Sequence, residues 1–141
     1  MKIRFIRFAS FCFVFYLVIS TPASSFSQYA LLVGVTDYPN LPDEEQLFGP
    51  GNDVVLLERL LGERGFEHKN IKVLANNRGA DAQPTRQAIL DALHTLSEEL
   101  QRDDFVYLHF SGHGSQQPQS KGKLSHETDG LDEIFLPTDT G

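Results

Sequence analysis

Residues 105–114 read FVYLHFSGHG, and this stretch decides the fold class. Its first six residues form a continuous apolar run of strand length, as in a parallel strand covered on both faces. The run ends in a serine and a glycine-histidine-glycine turn, where the chain must leave the sheet. In open α/β sheets, ligands and catalytic groups collect at the carboxyl ends of the strands. The stretch therefore predicts both a parallel sheet and the place of a functional site.

Two more strands precede this one, at 29–35 (YALLVGV) and at 71–75. Residues 36–51 hold three prolines and two glycines, which predicts a loop. Apolar residues at helical spacing predict one helix from an N-cap at Asn52 to a stop at Gly65. They predict a second helix after Pro84 that runs to about Gln101. This alternation of strands and helices is typical of an α/β domain with a mostly parallel sheet.

The last part of the sequence predicts an incomplete sheet. Residues 112–132 are polar and rich in glycine, which predicts a long mobile loop of the kind that carries function. Residues 133–137 (EIFLP) predict the start of a fourth strand, with no helix behind it to cover the sheet. We therefore expect the chain to be the N-terminal part of a larger domain.

Composition excludes several classes of protein. The 141 residues are 40% hydrophobic and 22% charged, which fits a small globular domain and not a disordered tail. Nineteen acidic residues against twelve basic ones give a net charge of −7. Binding to a nucleic-acid backbone needs clustered Lys and Arg, and an anionic membrane surface attracts the same charges. Neither partner is expected.

The first 25 residues predict a signal peptide. Three basic residues precede an apolar run at 8–19, and small residues follow at 23–25. Cleavage is predicted after Ser25, with Ala23 as the alternative. An uncleaved membrane anchor is the rival interpretation, but 12 apolar residues are fewer than the roughly 20 that span a bilayer. We expect export to the periplasm or the cell exterior and no membrane contact after cleavage. The mature chain would then be a domain part at 26–141 from which Cys12, the single cysteine, has been removed.

His113 is the first candidate for chemistry. A histidine between two glycines is accessible, and its pKa near neutrality suits a general acid or base. The alternative is a strand-end turn in which the glycines serve the backbone and His113 is incidental. A zinc site with His109 is disfavoured, because a four-residue spacing puts two histidines on one face only in a helix. No metal ligand is therefore predicted, and His109 is expected to face inward or to be half-buried in its strand.

Acidic residues supply the other candidates. Glu127, Asp129, Asp132 and Glu133 lie close together around a glycine, a pattern that either binds calcium or forms a solvated loop. Asp53 precedes an apolar helical run, where an acid ordinarily interacts with the helix dipole.

Four separated motifs, in this order, resemble the caspase-like cysteine peptidases of the metacaspase and bacterial orthocaspase branch. The motifs cover residues 29–139, and they are YALLVGV at 29–35, GPGNDV at 49–54, HFSGHGSQ at 109–116 and DGLDEIFLPTD at 129–139. The resemblance implies the first half of a caspase-like three-layer sandwich with a mostly parallel sheet, incomplete in this chain.

The resemblance also implies roles for particular residues. His113 matches the histidine of a Cys-His dyad, and Gly114 matches the residue whose N–H helps to form the oxyanion hole. Asp53 and Ser111 match residues of the pocket for the substrate side chain before the cleaved bond (P1), which implies protein or peptide substrates with Arg or Lys there. Many metacaspases have a cysteine where this chain has Pro50, so the shape of that pocket is expected to differ. The chemistry needs no cofactor, and calcium activation is a metacaspase trait that the acidic loop resembles.

The nucleophile is the larger departure from the family pattern. In caspase signatures the cysteine follows the histidine by about 50 residues, which is beyond residue 160. The sequence therefore predicts a fragment of a secreted cysteine-type endopeptidase that is inactive as given. The alternative is a non-catalytic caspase-like module for protein interaction or regulation.

Overall fold

The computed structural model describes residues 26–76, 79–119 and 130–141. The elements, in chain order, are β1 (Gln28–Gly34), a 3-10 turn (Asp43–Glu45), α1 (Pro50–Glu63), a 3-10 turn (His68–Asn70), β2 (Ile71–Ala75), α2 (Arg86–Glu99), β3 (Phe105–Ser111), β4 (Gly114–Pro118) and β5 (Leu131–Phe135).

The main sheet has the order β2-β1-β3, and both pairings are parallel. Leu32 of β1 lies opposite Val73 of β2 on one side and His109 of β3 on the other. With α1 and α2 beside it, this arrangement confirms the predicted α/β class with a mostly parallel sheet, as in part of a caspase-like fold.

The two helices cover opposite faces of the sheet. Successive residues of a strand point to opposite faces, so Leu32 packs with Val54 of α1, while Val33 packs with Ile89 of α2. Both β1 side chains are fully buried. The central position of β1 explains why its sequence is apolar without interruption.

The first helix begins three residues before the predicted position, and the second begins at Arg86, shortly after Pro84 as predicted. The structure contradicts the N-cap role of Asn52, because α1 begins at Pro50 and the cap is Gly49. Proline is favoured at the first helical position, since its fixed φ suits the helix and its missing N–H needs no partner there. The stop is as predicted: α1 ends at Glu63, and Gly65 adopts the left-handed φ of 94°.

The structure also contradicts the start of the long loop predicted at 112–132, while the fourth strand predicted at 133–137 is present as β5, at Leu131–Phe135. Gly114–Pro118 forms β4, which pairs with β5 in a separate antiparallel two-stranded sheet. The β4 sequence, GSQQP, is exposed on both faces. A strand without a buried face shows no apolar alternation, so its pairing is invisible in the sequence.

The two outer strands of the main sheet have different environments. Residues after β2 cover its outer edge, since Asp81 accepts a hydrogen bond from the Val73 N–H at 2.7 Å and returns one to the Val73 carbonyl at 2.9 Å. Within the described residues, β3 pairs with β1 alone. Contrary to the expectation of a strand covered on both faces, three large apolar side chains of β3 are exposed: Phe105, Leu108 and Phe110.

None of the helices in the described ranges has the length and apolar character needed to cross a bilayer. The predicted signal peptide at 1–25 lies outside the described residues.

Candidate functional site

His113 lies at the carboxyl end of the parallel sheet, between the end of β3 and the start of β4. Its backbone is held on both sides. The His113 N–H donates a hydrogen bond to the Tyr38 hydroxyl at 2.8 Å, and its carbonyl accepts one from the Leu136 N–H at 2.9 Å. The Tyr38 hydroxyl in turn donates to the Leu136 carbonyl at 3.2 Å. These three bonds join the loop after β1, the turn after β3 and the residue after β5.

The imidazole of His113 is also held by contacts of its own. Its Nε2 lies 2.6 Å from the backbone carbonyl oxygen of Glu45, while the Glu45 carboxylate is farther away, at 4.0 Å. A carbonyl oxygen can only accept a hydrogen bond, so Nε2 carries the hydrogen. The lone pair of the neutral ring is then on Nδ1. Because the side chain is only 27% exposed, a proton acceptor is held at the sheet edge in a defined orientation.

Tyr38 packs against the histidine ring, with centroids 4.9 Å apart and planes tilted by 45°. Its side chain is fully buried, and burial raises the pKa of its hydroxyl, an effect that the bond from the His113 N–H partly offsets. The hydroxyl therefore stays neutral at physiological pH and keeps the proton it donates. The sequence predicts only a loop at 36–51 and does not single out Tyr38, although an aromatic residue among prolines and acids is a weak sign of a packed loop.

The two glycines beside His113 have different surroundings. A Cβ added at Gly112 would lie 2.8 Å from the Tyr38 hydroxyl oxygen and 3.0 Å from the Phe135 ring, so no side chain fits there. A Cβ at Gly114 would meet only the Ile134 carbonyl oxygen, at an ordinary 3.7 Å. The residue required by close packing is thus Gly112.

The N–H of Gly114 points away from β5. Hydrogen bonds from Leu136 to His113 and from Gln119 to the Gly130 carbonyl fix the alternation of the β4–β5 ladder. By that alternation Gly114 and Phe135 form a non-hydrogen-bonded pair. The Gly114 N–H is therefore free of the ladder, next to the held imidazole.

Asp53 and Ser111 are brought together at the same sheet edge. Ser111 is the last residue of β3 and donates its hydroxyl hydrogen to Asp53 Oδ2 at 2.8 Å. Asp53 lies in the first turn of α1 and is exposed to solvent. Among the described residues, no basic side chain forms an ion pair with Asp53. The Asp53 carboxylate thus places an uncompensated negative charge beside Ser111, which is two residues before His113 in the chain.

The described residues do not form a metal site. No group of three His, Cys, Asp or Glu side chains among them is arranged to hold an ion. His109 is half-buried in β3 as predicted, and its Nε2 has no hydrogen-bond partner in the part of the chain that the structure describes.

The predicted calcium loop is only partly described. Glu127 and Asp129 lie outside the described residues. Asp132 and Glu133 are neighbours on β5, so their side chains point to opposite sides of the strand, and Glu133 accepts a hydrogen bond from Gln116. The described carboxylates thus do not converge on a cation, and calcium activation stays a prediction.

A cavity in the described structure lies away from these residues. It has a volume of about 590 Å³ between β2 and α2 and contains none of the predicted site residues.

Comparison with known proteins supports the resemblance. The family model "Metacaspase, peptidase C14 domain" matches residues 28–141. Metacaspase-1 of Candida albicans is 39% identical over 114 residues, and Metacaspase-1 of Lodderomyces elongisporus is 41% identical over the same length. Metacaspase-7 of Arabidopsis thaliana is 35% identical over 111 residues. Each match covers 78% of this chain but only 24–26% of the relative, so the chain spans about a quarter of these proteins. Because the family model extends over every strand and helix described above, the chain belongs to the metacaspase family.

Proposed function

We propose that this chain supplies the histidine-bearing part of a cysteine-type endopeptidase that cleaves after Arg or Lys. The observation that carries the proposal is the bond from His113 Nε2 to the Glu45 carbonyl, which leaves Nδ1 as the proton acceptor. A general base needs a fixed ring with one nitrogen free for the reacting group.

The chemistry follows from this arrangement. Nδ1 takes the proton of a cysteine thiol, and the resulting thiolate attacks the carbonyl carbon of the peptide bond. The negative charge that develops on the carbonyl oxygen is stabilised by the Gly114 N–H. The imidazolium then gives its proton to the leaving amine, and a thioester remains. His113 next takes a proton from water, and the hydroxide attacks the thioester carbon. The C–S bond breaks, the acid leaves, and the cysteine thiolate takes its proton back from the imidazolium.

Asp53 supplies the proposed selectivity. Its carboxylate is exposed, accepts the Ser111 hydroxyl on Oδ2 and has no cation beside it among the described residues. A carboxylate of this kind pairs with a guanidinium or an ammonium group and repels an acidic side chain. Substrates with Arg or Lys at P1 are therefore favoured over those with Asp.

The thiol must come from outside the described residues. The single cysteine of the sequence is Cys12, which lies in the predicted signal peptide. We propose that the longer protein carries the nucleophile about 50 residues beyond His113, and that the present chain is inactive by itself. A longer protein without that cysteine would favour the non-catalytic module instead.

The test is hydrolysis of reporter peptides that end in Arg, Lys or Asp by the longer protein. His113→Ala should abolish cleavage, with a loss of at least about 100-fold, because general-base catalysis is removed. Asp53→Asn should weaken cleavage after Arg by raising KM, while the Ser111 bond is retained. The matched control is Asp91→Asn, a change at an exposed acid on α2, which should leave kcat and KM unchanged. Preference for Asp substrates would refute the role of Asp53, and full activity of His113→Ala would refute the mechanism.

We also propose that the protein is exported. The support is the basic start, the 12-residue apolar run and the small residues at 23–25. Mass spectrometry of the protein from the periplasm or the medium should find Phe26 as the first residue. A product that keeps residues 1–25 and stays with the cytoplasm would contradict this proposal.

A further inference from the structure

The loop at 38–46 contacts His113 from two directions. Tyr38, at its start, binds the His113 N–H and packs on the ring, and Glu45, near its end, accepts the Nε2 hydrogen through its carbonyl. The two contacts come from residues seven apart in a loop that is neither helix nor strand except for one 3-10 turn. Whatever fixes the shape of this loop therefore fixes the orientation of the imidazole.

Gln46 is the side chain that fixes the loop. Its Oε1 accepts the Tyr38 N–H at 2.7 Å, and its Nε2 donates to the Tyr38 carbonyl at 3.0 Å. The same Nε2 lies 3.3 Å from the carbonyl oxygens of Leu41 and Pro42. One amide thus contacts four backbone groups of the loop, and it ties the start of the loop at Tyr38 to the residue that follows Glu45. The backbone hydrogen bonds within the loop form local turns, from Leu41 to Tyr38, from Glu45 to Pro42 and from Gln46 to Asp43. At the base of the loop the Leu47 N–H donates to the Thr36 carbonyl at 2.9 Å.

We propose that Gln46 is a positioning residue for His113, because its side-chain amide sets the distance between Tyr38 and the Glu45 carbonyl. With Gln46 in place, the ring is restricted to the tautomer with hydrogen on Nε2. Without it, the Glu45 carbonyl moves away from Nε2, and the ring exchanges between tautomers and orientations. The consequence for catalysis rests on the proposed function of His113, whereas the positioning itself does not.

The experiment is NMR of the imidazole nitrogens in the 15N-labelled chain, with His113 assigned by loss of its signals in His113→Gln. The wild-type ring should show one neutral tautomer and an Nε2–H proton that exchanges slowly enough to be observed. Gln46→Ala should lose that proton signal and show averaged ring nitrogens while circular dichroism stays unchanged. Gln101→Ala, a matched change at an exposed glutamine remote from the loop, should keep the wild-type spectrum.

Two further variants separate positioning from general stability. Glu45→Ala removes the carboxylate but keeps the carbonyl, so the tautomer should not change. Tyr38→Phe removes only the hydroxyl, and hydrogen exchange of the His113 amide should become about fivefold faster, as expected for one lost hydrogen bond. Tyr29→Phe, near the other end of β1, is its control and should leave that exchange rate unchanged.

The results decide the proposal without an activity assay. A folded Gln46→Ala variant that retains the wild-type tautomer and Nε2–H proton overturns it. If Gln46→Ala does not fold, unchanged His113 amide exchange in Tyr38→Phe overturns it instead. If Gln46→Ala loses the Nε2–H signal as expected but the longer protein with His113→Ala is fully active, the proposed function is rejected. The positioning role then remains.

Discussion

At the scale of single residues, the site depends on a glycine that contributes no chemistry. Gly112 lies between β3 and His113, and the space that its missing side chain leaves is taken by the Tyr38 hydroxyl and the Phe135 ring. Both neighbours are held in place. Tyr38 is fully buried, and the Phe135 ring packs edge-on against Phe110, with ring centroids 5.3 Å apart. A methyl group at position 112 can therefore not be accommodated by a small movement of a flexible side-chain end.

Gly112→Ala is expected to destabilise the chain by about 1–3 kcal/mol, the usual cost of overpacking a well-packed position. It should also shift the ring signals of His113, since the Tyr38 hydroxyl is displaced. Gly114→Ala is the matched control, because its Cβ meets only an ordinary contact, and its free energy of unfolding should stay within about 0.5 kcal/mol of wild type. Urea unfolding followed by circular dichroism measures both. Equal stabilities for the two variants would contradict the packing account.

At the scale of elements, the β4–β5 hairpin is tied to the main sheet by the residues that follow β5. Thr138 is buried, donates its hydroxyl hydrogen to the Asp37 carbonyl at 2.6 Å and accepts a hydrogen bond from Asn76 Nδ2 at 3.1 Å. The other end of the Asn76 amide accepts the Thr36 N–H at 2.9 Å. One network thus joins the carboxyl ends of β1 and β2 to the hairpin, and the hairpin holds the His113 carbonyl through Leu136.

Thr138→Val keeps the shape of the side chain and removes both hydrogen bonds. We expect a loss of about 1–3 kcal/mol in the free energy of unfolding, because the Asp37 carbonyl and the Asn76 amide are left without this partner. Exchange of the Leu136 amide should also become faster, as the hairpin loosens. Thr95→Val, at an exposed position of α2, is the control and should change neither quantity appreciably. Amide exchange and urea unfolding provide the measurements. An unaltered Leu136 exchange rate would contradict the role of Thr138 in joining the hairpin to the main sheet.

At the scale of the whole molecule, the two sheet edges behave differently. The outer edge of β2 is covered through Asp81, whereas no strand among the described residues pairs with the outer edge of β3 beside Leu108, which is 49% exposed. An open edge with apolar side chains is a template for pairing with another strand. The exposed face also continues into a groove of about 500 Å³ lined by Leu90, Phe110 and Pro137.

We therefore expect the chain, expressed by itself, to self-associate through β3 as its concentration rises. Leu108→Lys should shift it toward the monomer, since a charged edge residue disfavours strand pairing. Leu56→Lys changes a comparably exposed leucine on α1, away from the edge, and should not alter association. Sedimentation velocity distinguishes the species. A wild-type chain that remains monomeric at high concentration would contradict this expectation. Equal effects of Leu108→Lys and Leu56→Lys on association would contradict it as well.

The sequence by itself determined the order of β1, α1, β2, α2 and β3, because apolar runs and helical spacing are local properties of neighbouring residues. It also placed His113 at a strand end and indicated the family through motifs that are each contiguous. Only the tertiary structure decided that Ser111 bonds to Asp53, 58 residues away in the chain, and that Tyr38 and the Glu45 carbonyl hold His113. It alone revealed the polar strand β4. The physical reason is the same in each case: these contacts join distant segments through backbone groups or polar side chains, which leave no period in the sequence.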